Sequence, residues 1–323
     1  MARRLVLVAV LVLAIVGLGV AWSASQPLPP GPVVKVVIER NSSLGSVVQQ
    51  LEGQSVVRSA QWTRLVMRLQ SAPAIVAAGT YEVRPGMDAK ELAKALQRPL
   101  RVLVTIPEGH WIRQTADILA RNRLPAEDYV KASKNVRLGM EATGFKIPSD
   151  SLEGYLFPDS YHWPPGTSAE AIVASQLKAF VSKASPTLQG EHDPHRTVLI
   201  ASLVELEAKK PSERARIAGV IENRLRRGMR LELDCTVLYG IQEWRRLRPG
   251  EVQRLDSPYN TYRRDGLPPG PVCSPGLASL KAAAKPERHG YLFYVAKPDG
   301  SHYFSSTYAE HRANIRRARA EAP

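Results

Sequence analysis

The sequence predicts an α+β protein in three parts: a membrane-spanning N-terminal helix, a small domain of strand–turn–helix units, and a larger domain of buried helices and shaped loops. Three observations carry this expectation. Leu5 to Trp22 is a run of eighteen residues without a charge. A β-branched segment, a turn residue and an amphipathic run then recur three times, and beyond them helical apolar spacing alternates with short extended segments and Pro/Gly-rich loops. The 323 residues are 44% hydrophobic and 23% charged, which excludes a disordered tail, a collagen-like fibre and a multi-span membrane protein. Lys and Arg number 44 against 30 for Asp and Glu, a formal charge of +14. Acidic partners follow: phospholipid headgroups, anionic wall polymers or nucleic acid. Two cysteines, Cys235 and Cys273, are too few for a disulfide scaffold and lack zinc-site spacing. No metal and no cofactor is expected.

At 1.5 Å per residue the apolar run spans roughly 27 Å, close to a hydrocarbon core of about 30 Å. Ser23 and Ser25 offer a signal-peptide alternative with cleavage after Ser25. The length of the run favours an uncleaved anchor. Arg3 and Arg4 hold the start in the cytoplasm, so the rest of the chain is expected on the outer side of the inner membrane. Export argues against nucleic acid, as does the lack of a basic stripe interleaved with aromatics. Residues 1–25 are thus read as cytoplasmic start and anchor, and Gln26 to Pro32, with four prolines in seven residues, as a semi-rigid linker. A small domain is expected over 33–125 and a larger one over 126–323.

In the small domain, Ile38-Glu39-Arg40-Asn41 leads to Leu51, Val83-Arg84-Pro85-Gly86 to Leu96, and Ile106-Pro107-Glu108-Gly109 to Leu119. Gly or Asn tolerates a positive φ at the turn, and the later apolar positions fall at helical spacing. Asp88 with Glu91 forms a capping box. Units of this kind resemble LysM-type glycan-binding modules, with ordinary scaffold packing as the other reading.

Glu127 to Pro148 reads as helical and connecting. Leu152 to Tyr161 (LEGYLFPDSY) is aromatic-rich and broken by Gly and Pro, so it reads as a shaped loop with two carboxylates, suited to sugars or else a packed turn. Val198 to Ala208 is apolar on nearly every face and should be a buried helix, yet it carries Glu205 and Glu207. Residues two apart on a helix point about 200° apart. One glutamate can therefore reach a cleft while the other is paired with Lys209, Lys210 or Arg214. A desolvated carboxylate has a raised pKa, as a general acid requires; a structural ion pair is the competing reading.

Ser212 is placed to cap a second helix from Glu213 to about Arg227, ending at Gly228, with Ile217, Val220, Ile221 and Leu225 inward. Asn223 points either at the cleft or at a neighbouring loop. Leu231 to Val237 reads as an extended segment with Glu232 and Asp234 on one face. Ser257 to Tyr262, Gly266 to Pro271 and Ser274 to Gly276 form a rigid loop system fit for a binding wall. Tyr291 to Ala296 and Ser301 to Ser305 flank Pro298-Asp299-Gly300 as a strand pair, and Thr307 to Glu310 is a capping box opening a last basic helix. No nucleophile elbow accompanies His302 or His311, so a hydrolase triad has little support.

From about Val33 to Ala313 the chain resembles the YceG-like family of membrane-anchored endolytic murein transglycosylases. The resemblance lies in Leu152 to Tyr161 (Ser160 where Thr is common), Ala201-Ser202, Val204-Glu205, Glu207-Ala208, Glu213-Arg214, Ile217 to Val220, Asn223 to Leu225 and Gly228-Met229. It continues through Thr236-Val237, Tyr239-Gly240, Ser257 to Tyr262, Gly266 to Pro271, Pro275-Gly276, Tyr291-Leu292, Val295-Ala296, Gly300, His302 and Phe304. Leu206, Glu232, Cys235 and Ser274 depart from its usual Lys, Gln, Pro and Asn. The family's catalytic glutamate is the second of a Glu-x-Glu pair, here Glu207.

The resemblance implies cleavage of the β-1,4 bond between N-acetylmuramic acid and N-acetylglucosamine in nascent peptidoglycan, leaving 1,6-anhydro ends, with Glu207 as acid and then base. Glu153, Asn223, Asp234, Tyr259, Asn260 and His302 are the expected substrate-binding residues. Peptidoglycan strands, the membrane and the polymerases of the wall-synthesis complex are the expected partners. A non-catalytic, membrane-tethered peptidoglycan-binding scaffold and a conventional hydrolase are the alternatives. In an exported protein Cys235 and Cys273 also leave a disulfide open.

Overall fold

The computed structural model describes residues 23, 26–39, 42–69, 76–77, 79–100, 102–164 and 166–321. The expected anchor, Leu5 to Trp22, lies outside the described residues, as do Arg40 and Asn41 of the first repeat. Among the described residues no helix is long and apolar enough to cross a membrane. The chain divides into two compact units, one running up to Leu103 with His162–Thr167, the other Val104–Tyr161 with Ser168–Pro323.

The first unit contains strand β1 (Val34–Ile38), helices α1 (Leu44–Gly53) and α2 (Ala60–Leu69), strand β2 (Gly79–Val83) and helix α3 (Ala89–Ala95). β1 and β2 pair antiparallel from Val34↔Val83 to Ile38↔Gly79. The period of two sends Val36, Ile38, Tyr81 and Val83 inward, against Leu44, Val47, Val48, Leu51, Met67 and Leu92. Ser43 Oγ caps α1 by accepting from Ser46 N at 3.1 Å, and the Asp88–Glu91 box caps α3. The first two predicted units are therefore present, with Leu51 and Leu96 buried. Helix α2, between them, is an element that the repeat pattern did not contain.

The third predicted unit belongs to the larger body. Strand β3 (Val102–Thr105) pairs with β4 (Ser160–Trp163), and the division between the units falls within both strands. Helix α4 (Ile112–Arg121) packs on α5 (Ala126–Ala132). Gly86 and Gly109, the turn residues of the second and third units, have φ of +92° and +76°, as the pattern requires.

After α6 (Val136–Thr143) come α7 (Ala169–Lys183), the short α8 (Ser185–Leu188) and α9 (Pro194–Glu207). A 3-10 turn, Pro211–Glu213, precedes α10 (Arg214–Arg226), followed by α11 (Asp234–Ile241), α12 (Glu251–Arg254) and α13 (Leu277–Ala284). An antiparallel hairpin, β5 (Phe293–Ala296) with β6 (His302–Ser305), and helix α14 (Tyr308–Ala320) complete the chain. Helix α9 is the centre of this unit, packed against α10, α11 and α13.

Two open readings are resolved and two expectations are corrected. Of the two readings of Leu152 to Tyr161 the packed turn holds: Leu152, Tyr155, Leu156 and Phe157 are buried, and the Tyr155 hydroxyl meets His195 Nδ1 at 2.8 Å. The extended reading of Leu231 to Val237 ends at Leu233, because α11 begins at Asp234. Thr261 Oγ1 accepts Leu233 N at 3.0 Å, and an aspartate in the first turn suits the helix dipole, so tertiary capping overrides the β-branched residues. Ser212 does not cap α10; the 3-10 turn leads into it, with Arg214 N bonded to Pro211 O. Cys235 and Cys273 are free, buried thiols. Cys273 Sγ turns to Ser202 O at 3.3 Å, while Cys235 lies against Glu207, so each thiol has its own partner.

Candidate active site

Helix α9 starts at Asp193, whose carboxylate accepts Arg196 N at 3.0 Å, with Pro194 in the first turn where a missing N–H costs nothing. From Thr197 to Val204 every residue is buried, so the helix delivers its two terminal glutamates from the core. Their angular separation sends them to different surroundings. The Glu205 side chain is 7% exposed; Oε2 accepts Gly276 N at 2.9 Å and Oε1 meets Arg214 Nη2 at 3.4 Å. It is the structural member of the pair. Glu207 lines a cavity of about 320 Å³ together with Arg224, Glu232, Asp234, Tyr262 and Tyr294.

The Glu207 carboxyl is held at Oε2 by the Tyr294 hydroxyl, which donates at 2.9 Å. Burial is the largest influence on its pKa and raises it, and the negative charge of Asp234 adds to the rise. Hydrogen bonds from Tyr294 and the Cys235 thiol, and His302, work the other way and do not cancel it. A carboxylate at a helix C-terminus also meets the negative end of the helix dipole. Glu207 therefore holds its proton to higher pH than an ordinary glutamate.

Tyr294 is fixed by the hairpin, opposite Phe304 in the register. The His302 ring meets the Tyr294 ring edge-on at 5.4 Å. His302 is itself fixed by Glu213, through Nδ1 to Oε2 at 2.7 Å and backbone N to Oε1 at 3.0 Å. Asp234, at the start of α11, accepts the Tyr262 hydroxyl at 2.6 Å. Arg224 bonds Leu292 O at 2.6 Å and Leu231 O at 2.7 Å, and stacks over Phe293 at 5.2 Å, so it braces the wall of the cavity.

Of the expected catalytic and substrate-binding residues, Glu207 and Asp234 share this cavity, beside Glu232, and His302 stands behind Tyr294. The other four lie elsewhere. Asn223 Nδ2 donates to His289 O and Tyr291 O, both at 2.9 Å, and so ties α10 to the chain entering the hairpin. Asn260, fully buried, donates to Val252 O at 2.8 Å and Leu255 O at 2.9 Å while its Oδ1 accepts Tyr262 N at 3.0 Å. Tyr259 packs on Tyr239 at 4.7 Å, and Glu153 is buried below Tyr239. Of the Pro/Gly-rich loops, Tyr262 reaches the cavity wall, whereas Val272 and Cys273 pack on Ser202 of α9. Replacing Asn223 by Ala leaves two carbonyls without this donor and should cost roughly 2–4 kcal/mol of stability, read as a lower urea midpoint with an unchanged pH profile of activity.

Sequence reasoning missed Arg224, Tyr262 and Tyr294 as site residues. Tyr262 and Arg224 stood within recognised motifs, but Tyr294 carried no signal beyond its place in a predicted strand. Among the described residues no group of three or more His, Cys, Asp or Glu is placed to hold a metal ion.

The chain is similar to known proteins over most of its length. The chain is 29% identical over 298 residues to an endolytic murein transglycosylase of Bacillus subtilis (strain 168), covering 86% of this chain and 82% of that protein. It is 30% identical over 275 residues to an endolytic murein transglycosylase of Streptococcus pneumoniae serotype 2, covering 74% of this chain and 50% of that longer protein. The crystal structure of a yceG-like protein from Listeria monocytogenes superposes with a TM-score of 0.58 at 30% identity, over 87% of this chain and 99% of that one. With the YceG-like sequence model matching residues 36–317, through both units and every element around Glu207, the chain belongs to the YceG-like family.

Proposed function

We propose that the protein is an endolytic lytic transglycosylase that cleaves the N-acetylmuramic acid–β-1,4–N-acetylglucosamine bond of nascent peptidoglycan strands. The observation that carries this reading is a single proton-holding carboxyl, Glu207, at the wall of an open cavity, anchored at one oxygen by Tyr294. The names of the relatives supply the substrate class. Protonated Glu207 gives its proton to the glycosidic oxygen while positive charge develops at the sugar C1. The resulting carboxylate then takes the proton of the muramyl C6 hydroxyl, whose oxygen closes on C1 to form the 1,6-anhydro ring. No water enters, so one carboxyl performs both transfers, unlike the two-carboxylate arrangement of most glycosidases. Asp234 and Glu232 on the same wall favour the oxocarbenium-like charge.

In this reading Leu5 to Trp22 is a single-pass anchor in the inner membrane, 26–32 the linker, the rest of the first unit, up to Leu103, a LysM-like module and the larger unit the catalytic part outside the membrane. Tethering would keep the enzyme near new strands and their polymerases. Of the expected substrate-binding residues, His302 serves as a positioning residue through Tyr294.

The test is mass spectrometry of purified glycan strands after digestion. Internal fragments lighter by one water than hydrolysis products support the transglycosylase. Reducing ends indicate a hydrolase, and intact strands a binding scaffold. Activity that needs the protonated acid falls as pH rises through the Glu207 pKa. Asp234→Asn removes a charge that raises this pKa and should move the falling limb of kcat/KM to lower pH. Tyr294→Phe removes a hydrogen bond that lowers it and should move the limb higher, a pair of opposite shifts read from pH–rate profiles.

A further inference from the structure

Helix α2 carries two unlike faces. Ala60 and Met67 are buried against the first unit, whereas Trp62, Leu65, Val66 and Leu69 form a stripe at helical spacing that is not buried. Leu65 is 47% exposed and Leu69 79%. Exposed Arg68 borders the stripe and Arg58 stands just before the helix, whereas the Arg64 guanidinium packs over Gly45 of α1. Helix α2 has no acidic residue, and among the described residues none of the three arginines forms an ion pair. An apolar stripe bordered by arginines is the pattern of a helix lying in the headgroup region of an anionic bilayer.

The path of the linker says what faces this stripe. Gln26, Pro27 and Leu28 line one cavity of about 370 Å³ with Arg58, Trp62 and Val66. Gly31 N is tied to Pro85 O at 3.3 Å, which fixes the linker to the turn before α3. Gln26 lies four residues beyond Trp22, the end of the apolar run. Four residues reach at most about 14 Å, so a membrane holding that run lies within this distance of Gln26, which shares a cavity with Trp62 and Val66.

We infer that α2 seats on the anionic lipid surface, with Leu65 and Leu69 in the acyl–headgroup boundary and Arg58 and Arg68 on lipid phosphates. The inference rests on the anchor reading above. It orients the first unit on the membrane and makes the linker a short strut between two membrane contacts.

The test uses the full chain reconstituted in phosphatidylglycerol/phosphatidylethanolamine vesicles and in phosphatidylcholine vesicles. A nitroxide is placed at Leu65→Cys, Leu69→Cys or, as a control, Val181→Cys on α7. The native thiols are buried and stay unlabelled. The expected result is a several-fold rise in the oxygen-to-nickel collision ratio at 65 and 69 in the anionic vesicles, none at 181, and loss of the rise in the double variant Arg58→Gln/Arg68→Gln. Labels at 65 and 69 that stay nickel-accessible while the chain floats with the vesicles overturn this inference and leave the anchor standing. An equal rise in phosphatidylcholine overturns the preference for anionic lipid. A chain that does not float overturns both.

Discussion

Glu207→Gln is expected to lower the rate of glycan cleavage by about 10²–10⁴-fold, the range of general acid–base catalysis, with little change in KM. The amide keeps the size of the carboxyl and can still accept from Tyr294, but it neither gives a proton to the leaving oxygen nor takes one from the C6 hydroxyl. An interaction made only in the transition state appears in kcat. The fold should not suffer, because the substitution removes a carboxyl that burial already disfavours in its charged form. Glu205→Gln is the internal contrast. Glu205 serves Arg214 and Gly276 N in a site nearly closed to solvent, so its loss should lower the melting temperature more than Glu207→Gln does and affect kcat less. Turnover by the Glu207 variant equal to that of the native protein would remove Glu207 from the mechanism. An inactive Glu205 variant of undiminished stability would assign the acid to the wrong member of the pair.

That the two glutamates part company was legible in the sequence, because it depends on helix geometry alone. So were the boxes Asp88–Glu91 and Thr307–Glu310 and the hairpin around Gly300, all of which depend on residues a few positions apart. What the sequence concealed depends on partners distant along the chain. Helix α11 starts where it does because Thr261 caps it from the following loop. Tyr294 reaches Glu207 across 87 positions, and Asn223 finds its acceptors 66 and 68 positions away. Asparagines and aromatics in polar motifs looked like sugar ligands, whereas Asn223, Asn260 and Tyr155 satisfy buried backbone or core groups. Polar residue types alone do not separate a group that binds a ligand from one that holds the wall behind it.

Glu153 shows the same ambiguity and makes the second large prediction, on stability. It is 2% exposed. Its Oε2 accepts Ile112 N at the start of α4 at 3.0 Å and the Tyr239 hydroxyl at 3.4 Å, and Oε1 has no partner among the described residues. Burial outweighs these bonds and pushes its pKa from 4.5 up to about 8. The folded protein therefore keeps the proton at neutral pH while the unfolded chain releases it. The stability tied to that proton is complete below the unfolded value and drains as pH rises toward the folded one, at about 1.4 kcal/mol per pH unit. Glu153→Gln, which has no proton to lose, should match the native protein near pH 4 and exceed it by several kcal/mol at pH 8, as seen in urea denaturation at the two pH values. The gap should stop widening above pH 8, where the folded carboxyl ionises as well. A gap independent of pH would mean that Glu153 is charged in the folded protein and that the N-terminus of α4, with its free N–H groups, stabilises the carboxylate as much as burial disfavours it.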